Sequence, residues 1–264
     1  MLLPIPDAEP VTSATFRMQR AFKKANTFGS DHDRDYSVQL SSGANGRTGE
    51  QSLRSFMFPM NGLTLRSINK ADKQRRIQDA ARQLFGTQGF DNTSTREIAS
   101  VAGVGLATLF LYASDKRDLL FLAANDDLEA LTATAFANVD YDSPLLSQLI
   151  RIFGVFFRFY NKNRLFSRDL LRELTFFTSG HQSVRFQATR KATVGSVTRV
   201  VAQARSRGRV NCSFSDENIA EAIFYIFAAD VRRWLGQEKS TIASGMDHLE
   251  TLLSIVLRGL RHSD

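Results

Sequence analysis

Cysteine is nearly absent from this 264-residue chain: Cys212 stands alone, so no intramolecular disulfide and no cysteine-based metal cluster can form. A lone thiol suits a reducing compartment. Tryptophan occurs once, and four of the five prolines (Pro4, Pro6, Pro10 and Pro59) precede residue 70, which leaves Pro144 as the one fixed ring in the rest. No uncharged apolar run approaches the roughly 18–20 residues that a membrane-spanning helix needs. The opening, "MLLPIPDAEPVTSATF", carries acids and prolines where a signal peptide has a basic n-region and a longer apolar core. The expectation is a soluble, cytoplasmic protein with no membrane partner. His181, His248 and His262 lack ligand-like spacing, so no metal site is expected. There is no phosphate-cradling glycine loop, nucleophile elbow or placeable pair of catalytic carboxylates, which argues against an enzyme and against a bound cofactor.

What is present points elsewhere. Net charge is +7 and the isoelectric point about 9.8, which suits a polyanionic partner, although many basic proteins bind no nucleic acid. Hydrophobic content of 43% with 23% charged residues is ordinary for a globular chain, long enough for one large or two modest domains. Phenylalanine stands out at 21 residues. In a helical chain that means either a well-filled core or a cavity lined for an apolar ligand, and composition alone does not separate the two.

Residues 1–69 differ from the remainder. Runs such as "SSGANGRTGEQS" (Ser41–Ser52) favour turns and disorder over packed elements. A short helix over 14–27 fits the pattern, and Met57 or Met60 is an alternative start that would make 1–69 an artefactual extension. From Lys70 onward helix follows helix. Ile77, Ala80, Ala81, Leu84 and Phe85 share one face, and Gly89 closes that helix. Thr95 to Ala102 gives a second helix, Leu106 to Tyr112 a third, and Ser114 or Asp115 caps a fourth. "DSPLL" (Asp142–Leu146) starts another, and candidates follow over 164–178, 182–207, 215–236 and 240–261. No useful period-two segment occurs, so the class is all-α.

"TREIASVAGVGLATLFLYASDK" (Thr95–Lys116) has the dimensions of a helix-turn-helix, with Gly103 in the turn and Ile98, Ala99, Ala102, Val104 and Leu109 between the helices. Such a unit lays its second helix in the major groove. An ordinary helical hairpin inside a bundle has the same outline, and the hairpin alone does not choose. The wider segment Arg76–Leu120 does. Its "AARQLF…GF…TSTREIA" lead, "AGV" turn, "TLF.Y" segment and "DKRDLL" exit resemble the DNA-binding domain of the TetR family of transcriptional regulators, with order and spacing intact over about 45 residues.

The resemblance implies double-stranded DNA as partner, with phosphate or base contacts from Thr95, Arg96, Thr108, Tyr112 and Lys116. It also puts Gly105, Leu106, Ala107, Phe110 and Leu111 on the reading surface. The chain departs from the family pattern there. Gly105 and Leu106 replace commoner polar residues, Phe110 lacks the hydroxyl of the usual tyrosine, and Ala113 is smaller than usual. Readout then leans on apolar contact with thymine methyls by Leu106, Ala107 or Leu111. The cluster Lys70, Lys73, Arg75 and Arg76 adds phosphate attraction or is a solvated helix face.

The family scheme divides the chain into a DNA-binding domain at 70–120 and a helical ligand-binding and dimerisation domain at 121–264, with the last two helices forming a homodimer. Ile219, Ala222, Ile223, Ile226, Phe227 and Ala229 supply one apolar face for that role, and Leu249, Leu252, Leu253, Val256 and Leu260 another. Effector-pocket candidates are Phe153, Phe156, Phe157, Tyr160, Leu170, Phe176 and Phe177, with Arg172 and Glu173 as orienting charges or plain surface ions. The expected function is a homodimeric repressor released from a palindromic operator by a small apolar or aromatic effector. The alternative is a ligand-binding or scaffolding helical protein with a weakened DNA-binding unit.

Overall fold

The computed structural model describes residues 65–175 and 177–259, and every regular element among them is an α-helix. The 1–69 extension up to residue 64, the 14–27 helix, the alternative starts Met57 and Met60, and Phe176, Leu260 and His262 lie outside the described residues. The elements are α1 (Leu65–Gln88), α2 (Thr95–Val101), α3 (Leu106–Leu109), α4 (Lys116–Phe136), α5 (Leu145–Lys162), α6 (Arg164–Glu173), α7 (Ser183–Ser206), α8 (Asp216–Gly236) and α9 (Ile242–Gly259). No helix among the described residues is long and apolar enough to cross a membrane.

Local chemistry sets most of these boundaries. Gly89 and Gly103 adopt φ of +83° and +62°, the left-handed conformation that ends α1 and turns α2 into α3 without a Cβ penalty. Asp115 caps α4 by accepting the Asp118 N–H at 2.8 Å, and Ser215 caps α8 through the Asn218 N–H at 3.2 Å. Thr241 and Ser244 exchange side-chain bonds with each other's backbone N–H groups, both 3.1 Å, and so open α9 at Ile242 rather than at 240.

Two expected helices are shorter than their apolar patterns suggest. The third stops being α-helical after Leu109, and Leu111 and Tyr112 instead donate to the carbonyls of Thr108 and Leu109 in successive tight turns. Those turns carry Ala113 fully into the core and bring the Ser114 N–H to the Asp118 carboxylate at 2.8 Å. The helix expected over 164–178 ends at Glu173, because the following segment is drawn onto the same carboxylate.

The centre of the molecule is α4. Eight consecutive residues, Asp118 to Asn125, are buried, so this helix is enclosed all round rather than on one face. It packs on α1 on one side and on α5 and α7 on the other, while α5, α8 and α9 form the rear layer. Trp234 is fully buried there, its ring centroid 4.8 Å from that of Phe157, and its indole N–H donates to Thr241 O at 2.8 Å.

The two apolar faces expected on the last helices each divide. Ile219, Ile223 and Phe227 on α8, with Leu249 and Leu253 on α9, are buried within the chain. Ala222 and Ala229 are exposed, and Ile226, Leu252 and Val256 are half-buried. The wider stripe thus serves an internal core on one side and a solvent-facing strip on the other.

Candidate nucleic-acid interface and ligand cavity

The α2–α3 unit is built from a cap, a glycine turn and a buried seam. Ser94 accepts the Glu97 N–H at 3.2 Å while the Glu97 carboxylate accepts the Ser94 N–H at 2.7 Å, a reciprocal capping box. That backbone bond, with the Ser94 hydroxyl, holds the Glu97 carboxyl below its usual range. The S-x-x-E spacing of Ser94–Glu97 carries this cap in the sequence, just ahead of the helix start at Thr95. Ile98, Ala99, Ala102 and Leu109 are buried between the helices, as their spacing implied.

The reading-surface candidates fall out as follows. Arg96, Gly105, Leu106, Ala107, Phe110 and Leu111 are exposed, and Leu111 is 75% accessible. Thr95, at the start of α2, and Thr108, within α3, are half-buried. Tyr112 is half-buried, and its hydroxyl donates to Lys70 O at 3.2 Å, which ties the end of α3 to α1. Lys116 lies over the Phe90 ring, its Nζ 4.4 Å from the centroid, and donates to Asp91 O at 3.4 Å. Arg76, expected to add phosphate attraction, instead donates to the Ala102 carbonyl at 2.9 Å and pairs with Asp72, so it caps the C-terminus of α2. Arg75 pairs with Asp72 and Asp79. Lys70, Lys73 and Arg96 make no ion pair among the described residues and remain available as cations.

Behind this unit lies a cavity of about 520 Å³ between α4, α5, α6, α7 and α8, a size usual for small-molecule sites. Leu128, Phe156, Tyr160, Phe177, Phe186, Phe224 and Phe227 supply its apolar wall, and Arg190 and Arg232 its cations. Burial pushes the Tyr160 phenol up to about 12. Burial also lowers the Arg232 pKa, and Arg190 lowers it further by like-charge repulsion, against an opposing pull from Tyr160.

Of the effector-pocket candidates, Phe156, Tyr160 and Phe177 reach this cavity. Phe153 and Phe157 do not: both are fully buried, Phe153 stacked on Phe227 at 4.3 Å and Phe157 against Trp234. Leu170 is buried outside the wall as well. Arg172 faces a different partner. It forms two bonds of 3.1 Å to the Asp91 carboxylate and lies beside a neighbouring cavity of about 500 Å³. Glu173 accepts from Arg117 at 3.2 Å. Arg190, Arg232, Phe186 and Phe224 escaped the sequence reading, and Phe227 was placed only on the dimerisation face, since no local spacing marks side chains that α7 and α8 bring together.

Cavity wall and reading helix are joined by a buried carboxylate. Asp118, fully buried at the start of α4, accepts N–H bonds from Ser114, His181 and Gln182, each 2.8 Å. Gly180 crosses so close that a Cβ there would lie 2.7 Å from Asp118 Oδ1, and its φ of +105° also excludes ordinary side chains. Phe177, in the cavity wall, stacks on Phe121 of α4 at 3.8 Å. A second tie runs through α6, where Asp169 accepts the Phe90 N–H at 2.7 Å and Asn163 donates to Gly86 O at 3.0 Å.

Comparison with known proteins agrees with this geometry. Residues 77–123 match the family model described as bacterial regulatory proteins, tetR family. An HTH-type transcriptional regulator of Staphylococcus aureus (strain bovine RF122 / ET3-1) is 35% identical over 74 residues, covering 27% of this chain and 40% of the relative. The chain therefore spans less than half the length of the curated relatives it matches. The solved structure of Thermus thermophilus FadR, a TetR-family repressor in complex with lauroyl-CoA, superposes with TM-score 0.56 at 22% identity over 72% of this chain and 96% of that one. Bacillus subtilis FadR in complex with stearoyl-CoA gives 0.54 at 16% identity over 68% and 96%. These likenesses show a shared helical fold, and within it residues 77–123 match the TetR family of bacterial regulatory proteins.

Proposed function

We propose that the protein is a homodimeric repressor that binds a palindromic operator through residues 70–120 and is released when a small apolar effector enters the domain at 121–264. The observation that carries this reading is the exposure of the apolar side chains on α3 and the turns after it. Leu106, Phe110 and Leu111 are exposed while Leu109 and Ala113, between and beyond them in sequence, are fully buried, and Arg96, Lys70 and Lys73 make no ion pair among the described residues. Phosphate contacts set register, and the apolar face meets thymine methyls in the major groove.

Dimerisation is supported by the outer strip of α8 and α9. Ala222, Tyr225 and Ala229 on α8, with Ile255 on α9, are exposed, Tyr225 at 52% and Ile255 at 64%. Two copies packed on this strip form a C2 pair, which places two reading helices on successive turns of DNA. Effector binding biases the pair between spacings that fit and do not fit the operator. The Asp118 junction and the Phe121–Phe177 stack are the physical route from the cavity to α3.

The test is titration of purified protein onto its own upstream DNA across a salt series. Sequence preference over random duplex is expected throughout, with affinity falling as salt rises. Equal binding to random duplex at every salt concentration sinks the proposal. A second reading, a ligand-binding or scaffolding protein with a weakened DNA unit, is favoured by one observation: the Tyr112 hydroxyl is engaged by Lys70 rather than turned outward. Under that reading Arg96→Ala leaves DNA binding unchanged.

A further inference from the structure

The apolar cavity contains an electrostatic imbalance. Of the twenty residues that line it, none is an aspartate or glutamate, yet Arg190 and Arg232 both reach it. Arg232 is half-buried, and its recorded partners are neutral carbonyls: Ala228 O at 2.7 Å from Nη1 and Leu171 O at 3.3 Å from Nε. Arg190, nearer the surface, lies over the Phe224 and Tyr225 rings at 5.6 and 5.9 Å. Neither guanidinium has an ion-pair partner among the described residues, and each repels the other.

Charge withdrawn from water without a counter-ion is unfavourable, and an apolar wall strengthens whatever anion supplies the missing charge. Carboxylates elsewhere do not answer this need. Asp169 borders the adjoining cavity, but it is taken by the Phe90 N–H and by Arg172 at 3.5 Å. That second cavity shares Leu171, Thr175 and Arg232 with the first, and adds Arg168 and Arg172. Arg232 therefore stands between an apolar chamber and a basic one.

We infer that the effector is an amphipathic anion, its apolar body among Phe156, Phe177 and Phe227 and its head group on the Arg232 and Arg190 guanidinium groups. Guanidinium forks suit carboxylate and phosphate oxygens, which both offer two acceptors side by side. A free fatty carboxylate supplies such a head directly. An acyl thioester of a phosphorylated carrier supplies it through phosphates, and its bulk extends into the chamber lined by Arg168. This inference rests on the cavity being the effector site of the proposed regulator.

Isothermal titration of the full chain with dodecanoate, the dodecanoyl thioester of coenzyme A, and dodecanol decides it. At least one anion is expected to bind about tenfold or more tighter than the alcohol, the weight of a charge-assisted hydrogen bond. Arg232→Gln and Arg190→Gln should each remove most of that preference while leaving dodecanol within about twofold of its original affinity. Arg190 is exposed, so its variant tests the charge even if the Arg232 variant fails to fold. Preference for the thioester, lost in Arg168→Gln, assigns the head group to the second chamber; preference for dodecanoate assigns it to Arg232 and Arg190 alone. Dodecanol binding as tightly as both anions, no binding by any probe, or anion affinity unmoved in both the Arg190 and Arg232 variants overturns the inference. Operator release, measured in parallel, separates the two proposals. Tight anion binding with no effect on the DNA complex leaves the ligand class standing and removes the effector mechanism, whereas release by dodecanol alone does the reverse.

Discussion

Two groups of apolar side chains, similar as strings of letters, behave in opposite ways in this molecule. On α3 and the turns that follow it, Leu106, Phe110 and Leu111 stand at the surface, with Leu111 three-quarters accessible. On α5, Phe153 and Phe157 are wholly buried, packed on Phe227 and Trp234. Apolar residues go inside only where a neighbouring element is there to receive them. The segment from Leu106 to Ala113 is anchored through Leu109 and Ala113, both fully buried, so its remaining apolar groups are offered outward. α5 lies against α4 and α9, and its phenylalanines also meet Phe227 and Trp234 of α8, so little of it is left over.

The strongest way to break that comparison is to truncate one residue from each group. Phe157→Ala should lower unfolding free energy by about 3–5 kcal/mol, the range for a large aromatic removed from a close-packed core. Leu111→Ala should leave stability within about 0.5 kcal/mol, because nothing is packed on it. Its effect belongs to DNA: operator affinity should fall by about 1 kcal/mol, with non-specific binding little changed. Denaturant melts and gel-shift titrations of the two variants give both numbers. Comparable destabilisation by the two substitutions would contradict the assignment of α3 as an outward surface.

The junction between the regions offers a second, smaller effect. Asp118→Ala leaves the Ser114, His181 and Gln182 N–H groups without their shared acceptor in a buried setting. A loss of about 3 kcal/mol follows if most of these donors stay dry. The functional signature matters more. With the junction cut, ligand binding in the cavity should persist while its effect on DNA affinity shrinks. Equal coupling in the variant and the parent protein would remove Asp118 from the route.

How much of this was legible beforehand differs between the two regions for a physical reason. The DNA unit is local: caps, turn glycine and seam residues lie within Ser94–Lys116, so their spacing carried the fold directly, and Gly89, Gly103 and Asp115 act as their letters suggest. The cavity is non-local. Phe177, Phe186, Phe227 and Arg232 come from a connecting segment and from helices far apart in sequence. Periodicity says that Phe153, Phe156, Phe157 and Tyr160 lie on α5, but not which of them meet a partner and which meet a void. Arg172 was left open between an orienting charge and a surface ion for the same reason, since Asp91, which it grips, is 81 positions away.

The mildest effect contrasts two carboxylates that do the same job in these two regions. Asp118 and Glu97 both accept backbone N–H bonds, but Glu97 is exposed at the front of α2. The Ser94 N–H holds its carboxyl below the ordinary value of 4.5, so its contribution to stability is present above that value and is lost as pH falls through the lower folded-state pKa. Glu97→Gln keeps an oxygen for the capping box but removes the titration. The variant should therefore melt slightly below the parent protein near neutrality, and the gap should close as the solution is acidified past the ordinary carboxylate range. Ser94→Ala, which removes the other half of the box, should cost about 1 kcal/mol at every pH where the chain is folded. Thermal melts of the parent and both variants across that acidic interval separate the charge of the cap from its geometry. A gap that stays constant with pH would mean that the Glu97 charge contributes nothing, and that the hydrogen bond alone positions Thr95 and Arg96 at the front of the DNA-facing unit.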